Sequence, residues 1–97
     1  MDLKDTVVLM NSENYKERFV AEYWQTKIRY EKLKSFNNKI EASQRVRFQG
    51  NSSTVMVTEP KHDCPAEMLC EQQRTMGEYL HILEVRAEIE GIDLWKI

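Results

Sequence analysis

Apolar positions in this chain follow a helical period in two long stretches, with a region of different period between them. From Cys64 to Gly91, Leu69, Met76, Leu80, Leu83 and Ala87 are separated by seven, four, three and four residues. That spacing is a stripe for packing on another helix. Both ends of the stretch carry helix signals. Pro65 suits a first helical position, with Cys64 or Asp63 as the cap. Glu67 and Glu71 put negative charge where the helix dipole favours it, and Gly91 stands where a left-handed residue ends a helix. The pattern predicts a helix over 64–90. Gly77 interrupts it at a cost of about 1 kcal/mol against alanine; close approach of a second backbone or a ring packed over it would each explain the glycine.

The other helical stretch opens at Asn11 or Ser12 and meets no glycine or proline before Gly50. It predicts a helix over 12–42. Tyr15, Phe19 and Tyr23 make one row and continue as Leu33, Phe36 and Ile40; Val20, Trp24 and Ile28 make a second row beside it. A single partner helix covers a narrower face than this, so the breadth implies more than one neighbour or an opening for a ligand.

Between the helices, Arg45-Val46-Arg47-Phe48 and Thr54 to Thr58 alternate about the turn residues Gln49 to Ser53, which predicts a β-hairpin over 45–58. Residues 1–10 hold the β-branched run Thr6 to Val8 and read as an edge strand or as an apolar arm for another subunit. Residues 92–97 are short and apolar, placed to fold back over the helices. The expected fold is mainly α: two long antiparallel helices, an inserted β-hairpin and an N-terminal arm. The arm, Trp24 and the second aromatic row together point to a homo-oligomer.

Ninety-seven residues make a single small domain with little core to spare. The net charge of −2 excludes nothing and gives no reason to expect long nucleic acid as a partner. Its distribution is uneven: residues 1–62 carry 11 Lys/Arg against 8 Asp/Glu, and residues 63–97 carry 3 against 8. The halves attract one another, within a chain or between subunits. No apolar run approaches the roughly 18 residues of a membrane span, and no stretch reads as a signal peptide. Cys64 and Cys70 are about 9 Å apart along one helix, too far for a disulfide, and free thiols fit a reducing cytoplasm.

Candidate chemistry is sparse. His62 and Cys64 could share a metal through a turn, but Cys70 and His81 lie about 16 Å apart along one helix, so no metal site is expected. Cys64 has only His62 as a base, no carboxylate pair shares a face, and no glycine loop cradles phosphate; neither an enzyme nor a cofactor is expected. Lys27, Arg29, Lys32, Lys34 and Lys39 lie among Tyr23, Tyr30 and Phe36, with Arg45 and Arg47 following. Rings beside guanidinium groups hold a base and a phosphate, so this region suits a small nucleotide or an acidic protein surface.

Tyr15, Arg18, Glu22 and the run Lys27 to Leu33, followed by Leu69, Glu71-Gln72, Met76, Tyr79-Leu80, Leu83 and Arg86, resemble a family of small proteins of bacteriophages and Firmicute prophages related to a small protein of gut crAss-like phages. The likeness spans both long helices and leaves 45–58 as an insertion. It implies a helical hairpin acting in the bacterial host cytoplasm, with no catalytic residues. Small phage proteins of this kind often oppose host immunity, some as oligomeric helical sponges for cyclic nucleotides. The resulting expectation is a counter-defence protein that sequesters a small nucleotide at a subunit interface, with Arg18, Tyr23, Arg29, Tyr30 and Arg47 as ligand-binding residues. The alternatives are a protein–protein inhibitor of a host defence nuclease or effector acting through Glu71, Glu78, Glu84 and Glu88, and a structural or assembly accessory protein.

Overall fold

The computed structural model describes residues 1–48 and 57–95, and three helices account for most of them: α1 (Leu3–Met10), α2 (Tyr15–Phe48) and α3 (Ala66–Glu90). Helix α1 starts on a capping box. The Asp2 carboxylate accepts from the Asp5 backbone N–H and the Asp5 carboxylate from that of Asp2, each at 3.0 Å. At its far end the Asn11 amide donates to the Val7 carbonyl at 3.0 Å. Asn14 then opens α2, its side-chain oxygen accepting from the Lys16 N–H at 2.9 Å. Helix α3 follows Pro65, which stands at the cap position itself, and ends on Gly91 at φ 67° and ψ 38°, in the left-handed region.

Helices α2 and α3 run antiparallel. Pairs that rise along α2 fall along α3: Tyr23 meets Glu84, and Asn37 meets Gln73 and Leu69. The core lies at one end of the pair. There Phe19, Val20 and Tyr23 of α2 pack on Leu80, Leu83 and Ala87 of α3, and Ile92 and Leu94 close over them from the C-terminal segment. At the other end Ile40 and Ser43 are also buried.

Two expectations are corrected. The β-hairpin does not form as read: Arg45 to Phe48, its first strand, are the last turn of α2, and among the described residues there is no strand. The turn and most of the second strand, 49–56, lie outside the described residues. Four alternating residues cannot outweigh a helix that reaches them without a breaker. Arg45 and Arg47 in the last turn complement the helix dipole, and Arg45 lies 3.4 Å from Glu41 one turn back.

The N-terminal arm is the helix α1 and not an edge strand; one face of it packs on its own chain, while Val7 and Val8 stay exposed. Leu9 sits with Val20 beside Ile92, and Met1 to Lys4 lie along Ile28 and Lys32. Thr6 is fully buried, its hydroxyl donating to the Leu3 carbonyl at 2.6 Å. The remaining member of the second row, Trp24, is covered by the C-terminal segment. Its Nε1–H donates to the Leu94 carbonyl at 2.7 Å, and Trp95 meets it edge-on at 5.0 Å. The broad face of α2 is therefore met by α1, α3 and the segment after Gly91 within one chain. It supplies no argument for a second subunit.

Candidate functional site

An open, shallow groove lies on one flank of the α2–α3 pair. Cys70, Gln73, Arg74, Gly77, Glu78, His81 and Ile82 recur at three- and four-residue steps along α3, and Tyr30 of α2 leans across to complete the lining of a groove of about 790 Å³. The Tyr30 ring packs over Gly77, where a side chain would press on it. A Cβ at this position would meet Tyr30 Cε1 at 3.3 Å, closer than side chains ordinarily pack. The ring over the glycine belongs to the same chain, as the ring alternative expects. On its other side Lys27 Nζ stands 5.9 Å from the Tyr30 ring centroid, while pairing with Glu31 at 3.3 Å.

The groove combines an aromatic edge, a guanidinium, an imidazole, an amide and an aliphatic rim. Arg74 pairs with Glu78 at 3.1 Å, and both side chains are about two-thirds exposed, so water or an incoming anion can compete for the guanidinium. Gln73 is held from behind by Asn37, which is buried and donates to it at 2.9 Å. Ile82 at the rim is exposed, and with Val85 and Ile89 it continues as an apolar strip on the side of α3 turned away from the core.

Of the ligand-binding residues expected from sequence, only Tyr30 lines this groove. Arg18 is exposed and donates to the Ser12 carbonyl at 2.6 Å, joining the start of α2 to the turn after α1. Tyr23 is 1% exposed, and its hydroxyl donates to Glu84 at 2.6 Å, so its ring faces the core rather than a ligand. Burial first, and this bond second, hold the Tyr23 hydroxyl protonated well above the ordinary tyrosine range. Arg29 is exposed on α2, and Arg47 is exposed with Glu59 at 4.0 Å. These residues do not converge on one another.

The four acidic residues of α3 divide similarly. Glu84 is engaged by Tyr23 and Glu78 by Arg74, whereas Glu71 and Glu88 are exposed. A reciprocal pair lies beside the first, with the Tyr79 hydroxyl donating to Glu22 of α2 at 2.5 Å. That bond foremost, with some burial, also raises the Tyr79 hydroxyl above its ordinary value. The ion pairs within α2 and α3 are one-turn pairs in a single helix, and among the described residues none joins α2 to α3. Helix α2 carries nine Lys/Arg against four Glu and α3 two against six, so balances of +5 and −4 remain on their outer faces.

Gln73, Arg74 and Ile82 do not stand out in the sequence, and His81 does so only as a metal candidate, because the charge pattern points to the basic residues of α2. The available signal was the polar row Cys70-Gln73-Gly77-His81 with a glycine at its centre. His62, a metal candidate, donates from Nδ1 to the Cys64 carbonyl at 2.6 Å and packs edge-on against Phe36. Among the described residues no three His, Cys, Asp or Glu side chains gather as a metal site, and no helix is long and apolar enough to cross a membrane. Comparison with curated proteins and with solved structures finds no match. A family model does match: the family described as Sequestin, over residues 13–89.

Proposed function

The chain belongs to the Sequestin family, and from that membership we propose that it sequesters a small nucleotide signal, holding it in the Tyr30 groove without chemical change. The family name supports a sequestering role; the groove supplies the groups a nucleotide requires. Tyr30 and His81 offer aromatic groups for a base, Arg74 a guanidinium for phosphate, and Gln73 an amide for a polar edge.

The observation that carries the reading is the continuity of the groove with the exposed strip of Ile82, Val85 and Ile89. A ligand lying on one flank of a helix stays largely in water, whereas sites for small molecules bury most of the ligand surface. A second copy seated on the strip would both cover these side chains and roof the groove. The opposite net charges of α2 and α3 favour such pairing; in this reading the ligand is held at a subunit interface and the protein acts in phage counter-defence. Arg29, one residue from Tyr30, and the exposed Arg18 and Arg47 then serve as long-range attraction for phosphate, with Tyr23 as core.

Native mass spectrometry of the purified protein, alone and with linear and cyclic mono- and dinucleotides, tests this. Expected is an oligomer that retains a nucleotide, with Tyr30→Ala and Arg74→Ala abolishing retention and Ile82→Glu dissociating the oligomer. An oligomer that retains none, or a host protein co-purifying through Glu71 and Glu88, contradicts it and favours inhibition of a protein target.

A further inference from the structure

The buried amide behind the groove has one consistent orientation. Asn37 is 6% exposed, and its Nδ2 lies 3.1 Å from the Leu69 carbonyl and 2.9 Å from Gln73 Oε1. The Leu69 carbonyl belongs to the helix backbone and can only accept, so the atom of Asn37 facing it must be the nitrogen. The atom of Gln73 facing that same nitrogen must then be the oxygen. Orientation thus passes from a backbone group that cannot rotate, through Asn37, to the tip of Gln73. What remains free is the Gln73 NH₂, which has no partner among the described residues while its side chain lines the groove. Asn37 Oδ1 is also buried without a partner, so the pair still lacks one donor and one acceptor.

From this geometry we infer that Asn37 is a positioning residue that turns the Gln73 carboxamide into a fixed donor in the lining of the Tyr30 groove. The groove therefore selects ligands presenting an acceptor there: a ring nitrogen, a carbonyl or a phosphate oxygen. The ligand class rests on the proposal that this groove is the nucleotide site; the positioning of Gln73 does not. A glutamine free to rotate would offer either end and discriminate poorly. One locked through its oxygen offers only N–H, and a ligand that covers this donor without supplying an acceptor takes it from water and leaves it unpaired.

Side-chain amide NMR on the free protein tests the positioning. The Gln73 NH₂ is expected to be as ordered as the helix backbone, with contacts to Tyr30 ring protons, and to become mobile in Asn37→Leu. Gln73→Glu keeps an acceptor for Asn37 and removes the donor, so it leaves the Asn37 NH₂ signals ordered and guards against a variant that only unfolds. Titration of 5′-AMP and 5′-GMP then reads the ligand: each variant should lose at least tenfold in affinity. A Gln73 NH₂ equally mobile in the parent and in Asn37→Leu, or one pointing away from Tyr30, overturns the inference. An ordered NH₂ at Tyr30 with no response of the Tyr30 or His81 signals to either nucleotide upholds the positioning and overturns the nucleotide reading instead.

Discussion

Tyr23 shows how a residue fit for ligand binding by type becomes structural by place. Its ring lies in the core and its hydroxyl reaches across to Glu84, so Tyr23→Phe should cost about 1–2 kcal/mol, read by urea denaturation. The pH dependence has a definite sign. Tyrosine in the unfolded chain loses its proton near pH 10, whereas Tyr23, and to a lesser degree Tyr79, keep theirs when folded. Above about pH 10 the unfolded chain binds fewer protons than the folded one, so stability is full below that pH and falls as pH rises through it. The fall should be shallower in Tyr23→Phe. The two glycines of α3 and its cap should respond in opposite directions. Gly91→Ala puts a side chain at φ 67° and should cost about 1 kcal/mol in melting or urea experiments. Gly77→Ala removes a helix-interior glycine, and the ring end it crowds borders the open groove and can yield. We expect a gain of roughly 0.5 kcal/mol, together with a narrower groove and weaker ligand retention.

Among the elements, α1 best separates what was legible from what was not. The β-branched run Thr6 to Val8 suggested strand or arm, yet Asp2 and Asp5, three apart, are the two halves of a capping box that the sequence displays. With both ends capped, eight residues suffice for a helix once α2 offers a surface. Asp2→Ala should therefore loosen α1 by about 1 kcal/mol, visible as faster amide exchange across residues 3–10 with α2 unaffected. The stripes of α2 and α3 were legible because burial of one face enforces their period. The α2 end was not, because Arg45 to Phe48 satisfy strand alternation and helix continuation equally, and only the uninterrupted helix before them decides. The groove was hidden for a related reason: Tyr30 and Gly77 are 47 positions apart in the chain, and nothing short of the antiparallel register brings them together.

At the scale of the molecule, α1, α3 and the segment after Gly91 meet α2, and large apolar side chains stay exposed on α1 (Val7 and Val8), on α3 (Met68, Ile82, Val85 and Ile89) and at Trp95. Of these, Ile82 lines the groove and Val85 and Ile89 continue from it, so the contact between subunits that would roof the groove is expected there. Removing residues 1–12 should expose Val20 and Ile28 and cause aggregation, whereas Ile82→Glu should yield a folded monomer. The central claim is sequestration, meaning binding without turnover. Equilibrium dialysis against the nucleotide panel, followed by heat release and chromatography of what was bound, tests it most directly. One nucleotide should be depleted from solution and recovered chemically unchanged, and Tyr30→Ala should abolish the depletion. Depletion of none of them, or recovery of an altered product, would contradict it.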